Sequence, residues 1–276
     1  MRQRSRMLSF DLASHSMKEA FQCVILAGGF GTRLTEETIV KPKPMVEVGG
    51  KPILWHILKT YSHYGVNEFI ICCGYKGYLL KEYFANYYLH SSDVTFDLEN
   101  QNNLVIHRKP REKWKVTLVD TGRHTGTAGR LKKIQQYLRG QPFLLTYGDG
   151  VANVNIPALI EHHKAAEKKA TLTAVQPPGR FGALTLDGTD VKKFSEKVDN
   201  AESWINGGYF VLSPTVLDLI EGDFVSFEDS ILPLLATNGD LTAYKHYGFW
   251  RPMDTMRDKV MLDSLCAEGK APWEVW

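Results

Sequence analysis

Glycines that follow a buried strand and precede an arginine can hold a polyphosphate, and Cys23-Val24-Ile25-Leu26-Ala27-Gly28-Gly29-Phe30-Gly31-Thr32-Arg33 has that order. With no Cβ in the way, backbone N–H groups in such a turn approach phosphate oxygens closely. Arg33 adds a planar cation whose donors match those oxygens. Lys41-Pro42-Lys43-Pro44 brings two more positive charges shortly after. The pattern reads as an anion site, with a strand-to-helix turn that uses glycine for geometry alone as the bland alternative. Two familiar loops are excluded. The third glycine of the dinucleotide fingerprint would fall on Leu34, and the Gly50-Lys51 pair runs into Pro52 where a P-loop needs Ser or Thr.

Asp149 is the second candidate. The apolar run Phe143 to Tyr147 stops at Gly148-Asp149-Gly150. That puts a carboxylate at the carboxyl end of a buried strand, the edge where open α/β sheets bind ligands. The same three letters also spell an ordinary turn. Other chemistries find little support. The nine histidines include no His-Glu-x-x-His, neighbouring His162 and His163 splay about a helix, and no Gly-x-Ser-x-Gly elbow occurs.

The elements that must position these residues follow from hydrophobic periodicity. Residues 23–27 are an unbroken apolar run of β-branched character, as expected of a strand buried on both faces, and 67–73 reads as a second buried strand. Between them Ile53, Ile57, Leu58 and Tyr61 recur at helical spacing behind Pro52, and a second helix is expected over Lys76 to Tyr88. Hairpins are expected over 93–108 and 182–194, strands at 115–120, 170–176, 205–212 and 241–247, and helices at 130–138, 156–168, 227–235 and 256–267. This alternation predicts an α/β fold: a doubly wound, mostly parallel Rossmann-like sheet with hairpin-rich elaborations, as one domain over 21–276. Residues 1–20 read as a disordered extension or a start placed too early, and they stand outside the fold argument.

Composition narrows the function further. Apolar content of 43% and charged content of 23% are those of a globular protein, and no run approaches the ~20 apolar residues that span a bilayer. The net charge of +2 resides wholly in residues 1–20, and the rest carries 29 basic and 29 acidic side chains. Such a body has no field to attract nucleic acid or an anionic membrane. Cys23, Cys72, Cys73 and Cys266 show no metal spacing, and adjacent Cys72 and Cys73 in one strand point to opposite faces. They read as thiols in a reducing cytoplasm.

Five ordered blocks carry a resemblance: LAGGFGTRL with EETIVKPKPMVEVGGKPILWHI, then FIICCGYKGY, TYGDGVA, INGGYFVL and FWRPMDTMRDK. Together they resemble the sugar-phosphate nucleotidyltransferases, and within that family the branch of cytidylyltransferases acting on glucose 1-phosphate. The resemblance spans about residue 21 to the C-terminus. It implies that CTP and glucose 1-phosphate give CDP-glucose and pyrophosphate, with Mg²⁺ as cofactor held by Asp149 and Asp254. It assigns Arg33 and Lys43, with Asp149, to catalysis, and the nucleotide to Leu26, Ala27, Gly28, Gly29, Phe30, Gly31, Thr32, Arg33, Lys43, His124, Gly129 and Gly148. Gly129 could equally start a helix, and many relatives have glutamine where His124 falls. Sugar and phosphate fall to Gly182, Glu196, Lys197, Asn206 and Tyr209, although Glu196-Lys197 is otherwise a plain solvated pair. A homo-oligomer is implied, a hexamer being one size; the aromatic stripe Tyr78, Tyr83, Phe84, Tyr87 and Tyr88 reads as core or subunit contact, and the tail tryptophans Trp273 and Trp276 add to the expected apolar surface. Rival readings are a UDP- or dTDP-sugar enzyme of the same family, a nicotinamide-dependent oxidoreductase, and a nucleotide sensor without turnover.

Overall fold

The strands that build the sheet and its site are, in chain order, Gln22–Ala27 (β1), Glu68–Cys73 (β2), Lys115–Asp120 (β3), Phe143–Tyr147 (β4), Gly150–Ala152 (β5), Ala170–Val175 (β6), Ile205–Leu212 (β7), Leu241–His246 (β8) and Trp250–Pro252 (β9). The computed structural model describes residues 21–32, 34–99, 103–107, 112–176, 183–187, 190–195 and 204–276. Seven of the strands form one sheet in the order β8-β6-β7-β4-β1-β2-β3. All neighbours are parallel except β7, which runs antiparallel to both β4 and β6.

β1 is buried at every position, as its unbroken apolar run predicts. Its alternation feeds two cores. Cys23, Ile25 and Ala27 pack with Ile53, Ile57 and Tyr61 of Ile53–His63 (α1), whereas Val24 and Leu26 pack with Leu131, Phe210 and Phe227 on the other face. Cys73 joins the first core and Cys72 the second, so the adjacent thiols do face opposite ways. Each fully buried aliphatic side chain contributes about 1.5–3 kcal/mol, and the two faces together hold the sheet between helices.

Connectivity creates the functional edge. From β1 the chain runs outward to β2 and β3, then returns to β4 on β1's other side. The carboxyl ends of β1 and β4 therefore flank a topological switch point, where a crevice opens beyond the sheet.

Three expectations change. The helix expected over 76–88 is two helices, Gly77–Ala85 (α2) and Tyr87–Ser91. Asn86 breaks it by turning its amide back onto the Glu82 carbonyl at 3.0 Å. The helix expected over 130–138 is Thr127–Lys133 (α3) followed by a 3₁₀ turn. Trp273 is not surface: it is fully buried and its indole N–H donates to His56 Nδ1 at 3.2 Å. Met256–Ala267 (α4) forms where expected, with Thr255 and Asp258 making a reciprocal capping box. The expectation for residues 1–20 lies outside the described residues. Among the described residues no helix is long and apolar enough to cross a membrane.

Candidate active site

A cleft of about 660 Å³ opens at the switch point, a size within the range of small-ligand sites. The glycine loop after β1 lines it with Leu26 to Thr32. Gly31 sits at φ +66°, and its carbonyl accepts from the Leu34 N–H and the Thr38 hydroxyl, each at 3.0 Å. A Cβ there would meet the Thr38 methyl at 2.7 Å, so glycine is required both for conformation and for space. Gly29 faces open space.

Lys43 is delivered by the proline pair. Pro42 and Pro44 restrict the backbone around a single 3₁₀ turn, closed by the Met45 N–H on the Pro42 carbonyl at 2.8 Å. The side chain reaches into the cleft with only 9% of the residue exposed.

The two aspartates are brought together by a device with no sequence signature. β5 begins directly after Asp149 and pairs antiparallel with β9, Gly150 lying opposite Pro252. The Met253 N–H donates to the Asp149 carbonyl at 2.8 Å. This short ribbon sets Asp254 beside Asp149. The Lys43 ammonium bridges them, donating to Asp149 Oδ2 at 2.7 Å and to Asp254 Oδ1 at 2.8 Å. Burial alone would push the Lys43 pKa down, but the two carboxylates outweigh it and the net displacement is upward.

The chemistry of this donor set tests the metal expectation. Two carboxylate oxygens already share one cation, and among the described residues no group of three or more His, Cys, Asp or Glu side chains could cage an ion. Such a pair fits Mg²⁺, which takes one or two carboxylates and completes its shell with water and substrate phosphates.

The remaining walls are built by a second loop and by β4. The Arg123 guanidinium lies 5.5 Å from the Phe30 ring centroid and 5.6 Å from that of Tyr75, and the His124 ring is 5.6 Å from Phe30. Cation and rings so placed attract one another, and they gather the two loops at one end of the cleft. At β4, the Tyr147 hydroxyl donates to Glu228 Oε1 at 2.5 Å and accepts from Asn206 Nδ2 at 3.3 Å, while the Thr127 hydroxyl donates to Glu228 Oε2 at 2.5 Å. Burial, then the Glu228 carboxylate, pushes the Tyr147 phenol well up.

Of the sequence-predicted site residues, Leu26, Ala27, Gly28, Gly29, Phe30, Gly31, Thr32, Lys43, His124, Gly148, Asp149, Asn206 and Asp254 line this one cleft. Gly129 and Tyr209 do not. Gly129 lies within α3, where a Cβ would meet the Asp223 carbonyl oxygen at 2.1 Å, so its missing side chain serves helix packing. Tyr209 is buried in the sheet core, its ring stacked 6.1 Å from that of Tyr61. Arg33, Gly182, Glu196 and Lys197 lie outside the described residues. Sequence reasoning missed Arg123, Arg130, Tyr147 and Glu228. For Arg130 a signal existed: it stands between Ala128 and Leu131 on what becomes the buried face of α3.

The sequence profile of the nucleotidyl transferase family matches residues 22–252. The chain is 59% identical over 256 residues to a glucose-1-phosphate cytidylyltransferase of Salmonella typhi, covering 92% of this chain and 99% of the relative. It is 44% identical over 256 residues to a probable glucose-1-phosphate cytidylyltransferase of Bacillus subtilis, covering 92% of this chain and all of the relative. Among solved structures, HddC from Yersinia pseudotuberculosis superposes with a TM-score of 0.65 at 24% identity, covering 91% of this chain and 100% of that one, which shows the shared fold.

Proposed function

The chain belongs to the nucleotidyl transferase family, and on that footing we propose that it transfers the cytidylyl group of CTP to α-D-glucose 1-phosphate, giving CDP-glucose and pyrophosphate. An oxygen of the sugar phosphate forms a bond to the α-phosphorus as the bond to the departing pyrophosphate breaks. No protein nucleophile is needed; the chain's part is in-line placement and neutralisation of charge.

The observation that carries the reading is the Lys43 ammonium shared by Asp149 and Asp254 beside the glycine loop. Lys43 has three donors and spends two on the acids, leaving one for a phosphate oxygen. With its pKa raised it holds its charge throughout the neutral range. Asp149 and Asp254 would hold Mg²⁺, which when bound supplies positive charge against the phosphates. The N–H groups of the glycine loop would meet the triphosphate, with Arg33 assigned to the same phosphates by sequence. Phe30 and His124 would flank the base, and Asn206, aligned by Tyr147, would meet the sugar.

The same reading makes the enzyme cytoplasmic, supported by four free thiols. It also makes it a homo-oligomer. Phe96, Leu98, Leu104, Val105 and Ile106, on and beside the hairpin of Val94–Asp97 with Asn103–Ile106, are exposed, as are Tyr88 and Leu89. An isolated hairpin carrying that much exposed apolar surface is stabilised by a second copy. A monomer mass by light scattering at micromolar concentration would refute it.

The test of the activity is pyrophosphate release with glucose 1-phosphate and each of CTP, UTP, dTTP and GTP. CTP is expected to be preferred. Equal rates with UTP would move the enzyme to another branch of the family.

A further inference from the structure

We propose that Arg130 is the positioning residue that sets the spacing between the glycine loop and the loop of residues 122–125, and with it the affinity for the nucleotide. The inference rests on the nucleotidyl-transfer reading above.

Arg130 is 4% exposed, and among the described residues no carboxylate forms an ion pair with it. Its guanidinium is instead spent on three pieces of chain that converge on it. Nη2 donates to the Gly28 carbonyl in the glycine loop at 3.1 Å and to the Arg123 carbonyl at 3.4 Å. Nη1 donates to the Cys73 carbonyl at the end of β2 at 3.2 Å, to the Thr121 hydroxyl at 2.7 Å and to the Gly122 carbonyl at 2.8 Å. A planar fork with fixed donor directions can hold several carbonyls in register, whereas an ammonium cannot.

The glycines around it point to the same role. A Cβ on Gly28 would lie 2.2 Å from Nη1, and one on Gly74 would lie 2.6 Å from Nη1 and from the Gly28 carbonyl oxygen. Both backbone segments are thus packed directly onto the guanidinium. A desolvated cation, with the Asp120 carboxylate acting on it but outside ion-pair distance, is costly to keep as mere filler. Placed on the cleft wall, it both holds the loops and adds a fixed positive potential to the site where the nucleotide is proposed to bind.

Two variants separate positioning from stability. Arg130→Lys keeps the charge and loses the fork. Gly74→Ala crowds both the fork and the Gly28 carbonyl from outside the cleft, and so reports on the loop spacing even if the first variant does not fold. Steady-state kinetics, CTP calorimetry and melting curves would be run on both and on wild type. The expected result is a KM and a Kd for CTP raised roughly tenfold or more, with KM for glucose 1-phosphate within about twofold of wild type. CTP affinity within about twofold of wild type in a folded variant overturns the proposal, as does an equal rise in both KM values. Wild type that neither binds nor turns over CTP removes the functional reading itself. Wild type that does both, beside variants of ordinary CTP affinity, removes only the role of Arg130.

Discussion

Removing the Lys43 ammonium strikes the one group that both aspartates hold. In Lys43→Ala the carboxylates lose donors at 2.7 and 2.8 Å and are left facing each other. The lysine is nearly buried but the acids are not: their side chains are 34% exposed for Asp149 and 21% for Asp254. The stability cost therefore falls between that of an exposed pair and that of a buried one, about 1–3 kcal/mol. The catalytic cost is larger. One preorganised charge stabiliser is worth ~10²–10³ in turnover, or about 3–4 kcal/mol of transition-state stabilisation. The two effects respond differently to metal. Mg²⁺ can take the place of the missing ammonium between the acids, so it should raise the melting temperature of the variant more than that of wild type. Turnover should stay low, because the donor aimed at phosphate is still gone. Coupled pyrophosphate assays at saturating CTP and glucose 1-phosphate, with melting curves at 0 and at millimolar Mg²⁺, read both. A variant within about threefold of wild-type turnover would refute the reasoning, since that is far below the loss expected for a removed stabiliser.

Further outcomes follow from the same structure. Removing divalent metal with EDTA should abolish pyrophosphate release, and Mg²⁺ should restore it; activity undiminished in EDTA would exclude the assignment of Asp149 and Asp254 to metal. Glu228→Ala strands the Tyr147 and Thr127 hydroxyls, which both donate to it, and should cost about 2 kcal/mol by denaturant melts, with a midpoint unchanged from wild type counting against the network. Stability should also fall with acid. His56, His163 and His246 all have pKa values lowered by burial, so below about pH 6.5 the unfolded chain binds protons that the folded one refuses. The loss begins as pH drops through that ordinary histidine value and continues towards the lowered folded values. His56 accepts from the Trp273 indole at Nδ1, and its Nε2 lies 2.9 Å from the Val48 carbonyl, so a neutral Nε2–H tautomer satisfies both. His56→Asn should flatten part of the acid slope in urea melts at pH 5.5 and 7.5, and an unchanged slope would place the effect elsewhere.

What could be read from the sequence divides along physical lines. Continuous apolar runs made β1, β2 and β4 legible, and with them the positions of the glycine loop and of Asp149 at the strand ends. Meeting of Asp149 and Asp254 was not legible, because β5 and β9 are three residues each, too short for alternation to show, and β9 ends in a proline. That expectation came from resemblance, and the geometry agrees with it. The break at Asn86 depends on one side chain competing for a helix carbonyl, which periodicity does not register. Trp273 reads as a tail residue until the indole finds His56. Gly129 and Tyr209 carry the family pattern, yet here one makes room for a carbonyl and the other fills the core.

The central claim is that Asp149 and Asp254 act as one unit. Turnover of Asp149→Asn, Asp254→Asn and the double variant, measured side by side with CTP, glucose 1-phosphate and Mg²⁺, tests it most directly. Each single change should lower pyrophosphate release by ~10² or more, and the double should be no slower than the worse single, as expected for groups that share a task. Multiplied losses in the double variant, or near-wild-type turnover in either single one, would contradict it.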